Sequence, residues 1–396
     1  MTIPSSAMDG WSRVTRWARC MAAGRGRISG WLALGAIMVL SGCMGDDDQP
    51  SLDQRYRQAV QSVMGKYHIP GAVAGVWSQG AAPWRLAEGF STIEQKTPIT
   101  LDSYFSIRSI TKSFVVTVIL QLVRDGALSL DQTIDQYVPG IPNGNRMTLA
   151  QLAGMESGFE DYSRVNAFLT EFFRDLGRAW TPQQIVDFAI PPSPLFDPGA
   201  RYDYANTNTV LLGIVIEKVT QLPIDAVLRA RIFDRLGLAH TIYPYTLGLP
   251  DPHPTPYEIN VASGAFDDLP LVNPTAFGAA GAMTSTLDDL GTWGLALGSG
   301  MLITPELQQL RMTRSRPATN GPEYDRYGLG IGSFKGWWGH TGSGLGFQAA
   351  TFYDPTTGTT IAVLVNSTPD INSSPELNFA QEIFAALADV VHDASR

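Results

Sequence analysis

Cysteine is almost absent from this chain: among 396 residues only Cys20 and Cys43 occur, both near the N-terminus. The rest has no disulfide and no cysteine metal site to staple it, so it must hold together by a packed core. Histidine is scarce too. The five (68, 240, 253, 340 and 392) show no H-E-x-x-H or paired spacing, so a zinc site and any other cofactor find no support. Lysine is limited to five positions (66, 96, 112, 218 and 335). There is no apolar run long enough to span a bilayer, no repeat of 20–50 residues and no long low-complexity tract. What remains is 44% hydrophobic with 39 Gly and 26 Pro, the composition of a loop-rich globular protein.

The N-terminus reads as a targeting segment. Arg13, Arg16, Arg19, Arg25 and Arg27 precede the ten-residue apolar run Trp31–Leu40, and small residues follow. Leu40-Ser41-Gly42-Cys43 resembles the bacterial lipobox, which implies a signal over residues 1–42 and Cys43 as lipid acceptor; a signal cut elsewhere is the alternative. Met21 offers a more compact start than Met1. The resemblance implies an exported, lipid-anchored protein, held at the periplasmic side of the outer membrane if the host is Gram-negative. Losing 1–42 removes five of 28 basic and one of 37 acidic residues, leaving 23 against 36 and a net charge of −13. So negative a chain argues against nucleic acid as partner, and leaves the lipid anchor as its only contact with a membrane.

Residues 43–51 make an acidic tether. From 52 to 66, Tyr56, Val60, Val63 and Met64 keep helical spacing. Residues 71–78 and the stretch toward Phe90 predict a hairpin, and 347–353 with 360–366 predict another. A closing helix is expected from Pro375 to about Val391. Ile110, Phe114, Val118 and Leu122 predict a helix ended by Gly126, and Leu211–Val219 a second buried helix. The fold class is therefore α/β: over 52–396, one antiparallel sheet is assembled from both termini and flanked by helices, with a mostly helical insertion.

Three stretches carry candidate chemistry. In "S-I-T-K" a serine stands one helical turn before a lysine, so Lys112 can reach Ser109. A lysine of depressed pKa would take the hydroxyl proton and make a nucleophile; the plainer reading is a helix cap with a surface lysine. In "Y-A-N" Tyr204 and Asn206 point the same way if the segment is extended, ready to relay a proton, or else they are loop residues before the helix at Leu211. In "H-T-G-S" (340–343) glycine lets a substrate backbone come close to strand amides; a turn with a satisfied histidine is the alternative.

Their order, together with "L-Q-L-V-R-D-G-A-L-S-L-D", "N-T-N-T-V-L-L-G-I-V-I-E-K-V-T" and "Y-G-L-G", resembles the penicillin-recognising serine hydrolases: serine D-alanyl-D-alanine carboxypeptidases, class C β-lactamases and related esterases. The resemblance covers nearly all of the chain after the tether. It implies a β-lactamase/transpeptidase-like fold and an acyl-enzyme on Ser109. It makes Lys112, Tyr204 and His340 catalytic, and gives substrate binding to Asn206, Thr341, Gly342 and Ser343. It implies a peptidoglycan stem peptide or another small peptide or ester as substrate, with β-lactams as inhibitors or substrates. The expected activity is a D-Ala-D-Ala carboxypeptidase; the alternatives are an esterase, a D-amino-acid amidase or a β-lactamase on the same residues, and a non-catalytic penicillin-binding sensor. His340 is expected to titrate near neutrality. One departure bears on substrate. The carboxypeptidases carry an arginine after "Y-G-L-G-(apolar)" that grips the terminal carboxylate, where this chain has Gly332. Losing such a contact costs roughly 1.5–3 kcal/mol of recognition. Lys335 is the nearest replacement. No Gly-x-Ser-x-Gly elbow and no Ser-Asp-Asn is present, which argues against an α/β-hydrolase and a class A β-lactamase.

Overall fold

A computed structural model describes residues 50–190, 194–370, 374 and 376–394. The signal 1–42, Cys43 and most of the tether lie outside the described residues. Helix α1 (Leu52–Tyr67) opens on a capping box, Ser51 and Gln54 each accepting from the other's backbone N–H. Its buried stripe is Tyr56, Val60, Met64 and Tyr67. The chain then forms β1 (Gly71–Trp77), β2 (Trp84–Thr92) and β3 (Thr97–Pro98). After a long, mostly helical middle it returns as β4 (Arg316–Pro317), β5 (Arg326–Tyr327), β6 (Gly332–Phe334), β7 (Trp337–Gly344), β8 (Phe347–Asp354) and β9 (Thr359–Val365). These nine strands make one antiparallel sheet in the order β3-β2-β1-β9-β8-β7-β6-β5-β4. The two ends of the chain meet where β1 pairs with β9, from Ala72↔Val365 to Trp77↔Thr360.

The central strands are apolar on both faces because both faces are covered. Val363 and Phe352 point with α1 and α5 (Phe379–Ala394) into one core; Leu364 and Ala349 point into the other, with α2 (Thr111–Arg124) and α4 (Leu287–Ser299). Helix α4 lies close on the sheet because it presents glycine there: a Cβ on Gly294 would sit 2.2 Å from Thr351 Oγ1. Helix α5 starts later than Pro375, because the Asn378 side chain accepts from Gln381 N–H and caps it (3.1 Å). The other buried helix, α3, spans Asn206–Thr220 and begins five residues before the expected Leu211. Asn206 is thus its first residue, preceded by extended Ala205.

Candidate active site

Ser109 lies in a 3-10 turn, Arg108–Ile110, that runs straight into α2. No side chain caps this helix, so Ser109 is not a cap. Lys112 is fully buried, so it is not a surface lysine either. Its Nζ meets Asn206 Oδ1 (2.6 Å), the Ala280 carbonyl (2.8 Å) and Ser109 Oγ (2.9 Å). The first two are acceptors only. As a neutral amine, Lys112 therefore gives its two N–H bonds to them and turns its lone pair toward the Ser109 hydroxyl. Burial favours that neutral form, bringing the pKa down from 10.5 to about 7, against a smaller upward pull from Asp161.

Asp161 was not legible as a site residue. It sits 45 positions from Asn206, whose Nδ2 donates to both its carboxylate oxygens (3.0 and 3.3 Å) and to Ser163 Oγ (3.1 Å). A carboxylate accepts only, so Asp161 dictates which way the Asn206 amide faces and hence that Lys112 meets oxygen. Tyr204 packs over Lys112, with Nζ 5.1 Å from the ring centroid. Its hydroxyl is buried beside Ser109, and burial pushes its pKa well up against a smaller downward pull from Ser109, so it stays a phenol. The Tyr204 N–H donates to Asn320 Oδ1 (3.1 Å), on the loop between β4 and β5.

The third stretch lies within β7. Leu345 (φ 47°) and Gly346 (φ 77°) form a two-residue turn to β8, which makes Gly344 and Phe347 a hydrogen-bonded pair. Alternation then turns the backbone groups of Thr341 and Ser343 to the other edge, which β6 covers only as far as Gly339. Gly342 lets that edge close on the turn that carries Ser109: a Cβ there would lie 2.1 Å from Ile107 O. Ser343 is exposed, whereas His340 and Thr341 are buried.

His340 differs from expectation. Nδ1 lies 2.6 Å from Thr341 O and 3.2 Å from Tyr324 OH, and Nε2 lies 3.0 Å from Tyr327 OH. Burial, then the nearby Lys112 charge, push its pKa down to about 3. It is neutral across the physiological range, engaged inside the protein, and does not titrate near neutrality.

Position 332 is closed to a long cation. A Cβ on Gly332 would lie 2.6 Å from the Tyr324 ring, which fills that space with a phenol. Lys335 does not replace the arginine: it sits on the β6–β7 turn, with Nζ 3.6 Å from Asp389 in α5.

The beta-lactamase family profile matches residues 56–386. This chain belongs to that family. Among curated members it is 27% identical to a D-aminopeptidase of Gluconobacter oxydans over 61% of this chain and 45% of that one. The chain spans about half the length of the curated relatives it matches. Among solved family structures, a D-stereospecific amidohydrolase from Streptomyces sp. is 30% identical, with 84% of this chain and 97% of that one covered and a TM-score of 0.72. The D-amino acid amidase from Ochrobactrum anthropi SV3, solved with L-phenylalanine amide, is 25% identical over 86% and 99%, with a TM-score of 0.75. The chain is thus a serine hydrolase of the beta-lactamase and penicillin-binding protein family, with the antiparallel sheet and helices that family implies.

Proposed function

We propose that the protein is an acyl-serine amidohydrolase that cleaves the amide or short-peptide bond following a D-amino acid. Ser109 attacks the carbonyl, Lys112 takes its proton, and the backbone N–H groups of Ser109 and Ser343 hold the oxyanion. The leaving nitrogen takes a proton from the Tyr204 hydroxyl, which is then replenished from Lys112. Water repeats the sequence on the acyl-enzyme, ejecting Ser109 Oγ. Asn206 keeps Lys112 placed, and His340 is a positioning residue behind Thr341. The lipid anchor on Cys43 and residence at the cell envelope belong to the same reading.

The observation that carries the choice of substrate is the phenol over Gly332. Where a D-Ala-D-Ala carboxypeptidase keeps a cation for the terminal carboxylate, this site offers a neutral ring. Relatives named for D-amino-acid amide and peptide hydrolysis support the same choice. Carboxypeptidase activity on peptidoglycan peptides is the second reading, favoured by the order of the three motifs.

The test offers D-alanyl-D-alaninamide, a D-Ala-D-Ala peptide and a nitrophenyl ester to the purified protein, and labels it with a fluorescent penicillin. Amide turnover at least tenfold above peptide turnover is expected, with Ser109→Ala inert to all. Preference for the D-Ala-D-Ala peptide reverses the substrate choice, and equal labelling of Ser109→Ala removes the acyl-serine mechanism.

A further inference from the structure

Tyr324 is nearly buried, and its hydroxyl stands at the centre of three contacts. It accepts from Thr341 N–H (2.8 Å), and lies 2.8 Å from Thr341 Oγ1 and 3.2 Å from His340 Nδ1. Counting protons settles who donates. Thr341 O accepts only, so the Nδ1 that lies 2.6 Å from it carries the hydrogen of the neutral ring. Nε2 therefore accepts from the Tyr327 hydroxyl. Thr341 N–H donates to the Tyr324 oxygen, and His340 Nδ1, its one hydrogen turned to Thr341 O, offers no lone pair, so the Tyr324 hydrogen is left for Thr341 Oγ1. Thr341 Oγ1 then accepts from Tyr324, and the hydrogen of its own hydroxyl is left for a further acceptor.

The place of Thr341 gives that hydrogen a use. Ser343 and Thr341 share the open edge of β7, with Ser343 at the oxyanion position. Tyr204, which protonates the departing nitrogen, stacks edge-on against Tyr327 (5.9 Å between centroids), and Tyr327 binds His340. Thr341 therefore lies two residues from Ser343 on one strand, beside contacts that run through His340 and Tyr327 to Tyr204. We propose that Tyr324 is a specificity-determining positioning residue, which holds the Thr341 hydroxyl as a neutral donor to an acceptor oxygen on the leaving group, whether amide carbonyl or carboxylate. This rests on the acyl-serine reading above and deepens it. A guanidinium selects for charge, whereas this phenol–hydroxyl pair requires only an acceptor oxygen. The bulk that closes position 332 and the hydroxyl that orients Thr341 come from one side chain.

The test measures acylation of Ser109 by two probes. Benzylpenicillin carries a carboxylate beside its leaving nitrogen; p-nitrophenyl acetate presents no acceptor oxygen at that distance. In Tyr324→Phe, penicillin acylation is expected to fall about 10–100-fold, with no more than a threefold fall for the ester. Thr341→Val is expected to do the same, and the double variant to lose no more than Thr341→Val alone, because one acts through the other. Thermal melts accompany each variant, and Tyr324→Leu serves if Tyr324→Phe fails to fold. Equal losses on both probes, or additive losses in the double variant, overturn the proposal while leaving the acyl-serine reading intact. No acylation of wild type by either probe removes both.

Discussion

At Lys112 the decisive quantity is where one proton sits. Its pKa near 7 means that the amine becomes available as a base as pH rises through neutrality. The acylation rate is therefore expected to climb along a limb centred near pH 7, read from the pH dependence of penicillin acylation. His340, near 3, adds no limb between pH 5 and 9. Asp161 pulls the Lys112 pKa upward, so Asp161→Asn is expected to move that limb to lower pH. A limb that stays put in Asp161→Asn assigns it to another group. Replacing Lys112 by Ala removes the base altogether, and a loss of about 10²–10⁴-fold in acylation is expected. In stability the sign is distinct. Between about pH 7 and 10.5 the unfolded chain binds a proton at Lys112 that the folded chain does not, so this residue makes stability rise with pH across that window.

Elements bring these groups together through close approaches that side chains would block. Strand β7 reaches the nucleophile turn because residue 342 has no Cβ. Gly342→Ala is expected to push the strand away from Ile107 and lower acylation at least tenfold while the fold persists, as circular dichroism and acylation kinetics together would report. Gly294→Val, which wedges α4 off the sheet, is instead expected to destabilise by roughly 1–3 kcal/mol and lower the melting temperature. Much of this arrangement was legible beforehand, since strands buried on both faces read as unbroken apolar runs and Ser109–Lys112 have helical spacing. The start of α3 was not, because Asn206 is a weak helix former and its role is set by Asp161, 45 residues away. Tyr324 was hidden for the same reason: nothing local in "P-E-Y-D-R-Y" signals that its ring covers Gly332. Nor does the spacing of His340 betray the burial that keeps it neutral, or the two tyrosines that bind its ring.

On the scale of the molecule, the formal charge of −9 sets the long-range field. Amide substrates bearing a free ammonium are expected to lose kcat/KM as salt rises from about 10 to 150 mM, while carboxylate-bearing substrates gain, because screening weakens attraction and repulsion alike. Equal slopes for both would place the field elsewhere. The pairing of β1 with β9 has a further consequence, one of timing. A ribosome delivers Ser109 and Lys112 early, yet the strand edge proposed to polarise the carbonyl arrives more than two hundred residues later, and the sheet closes only with β9. A growing chain thus carries its proposed nucleophile through most of its synthesis without that edge. On the proposed mechanism, a copy truncated before β7 is expected to leave Ser109 unacylated by penicillin.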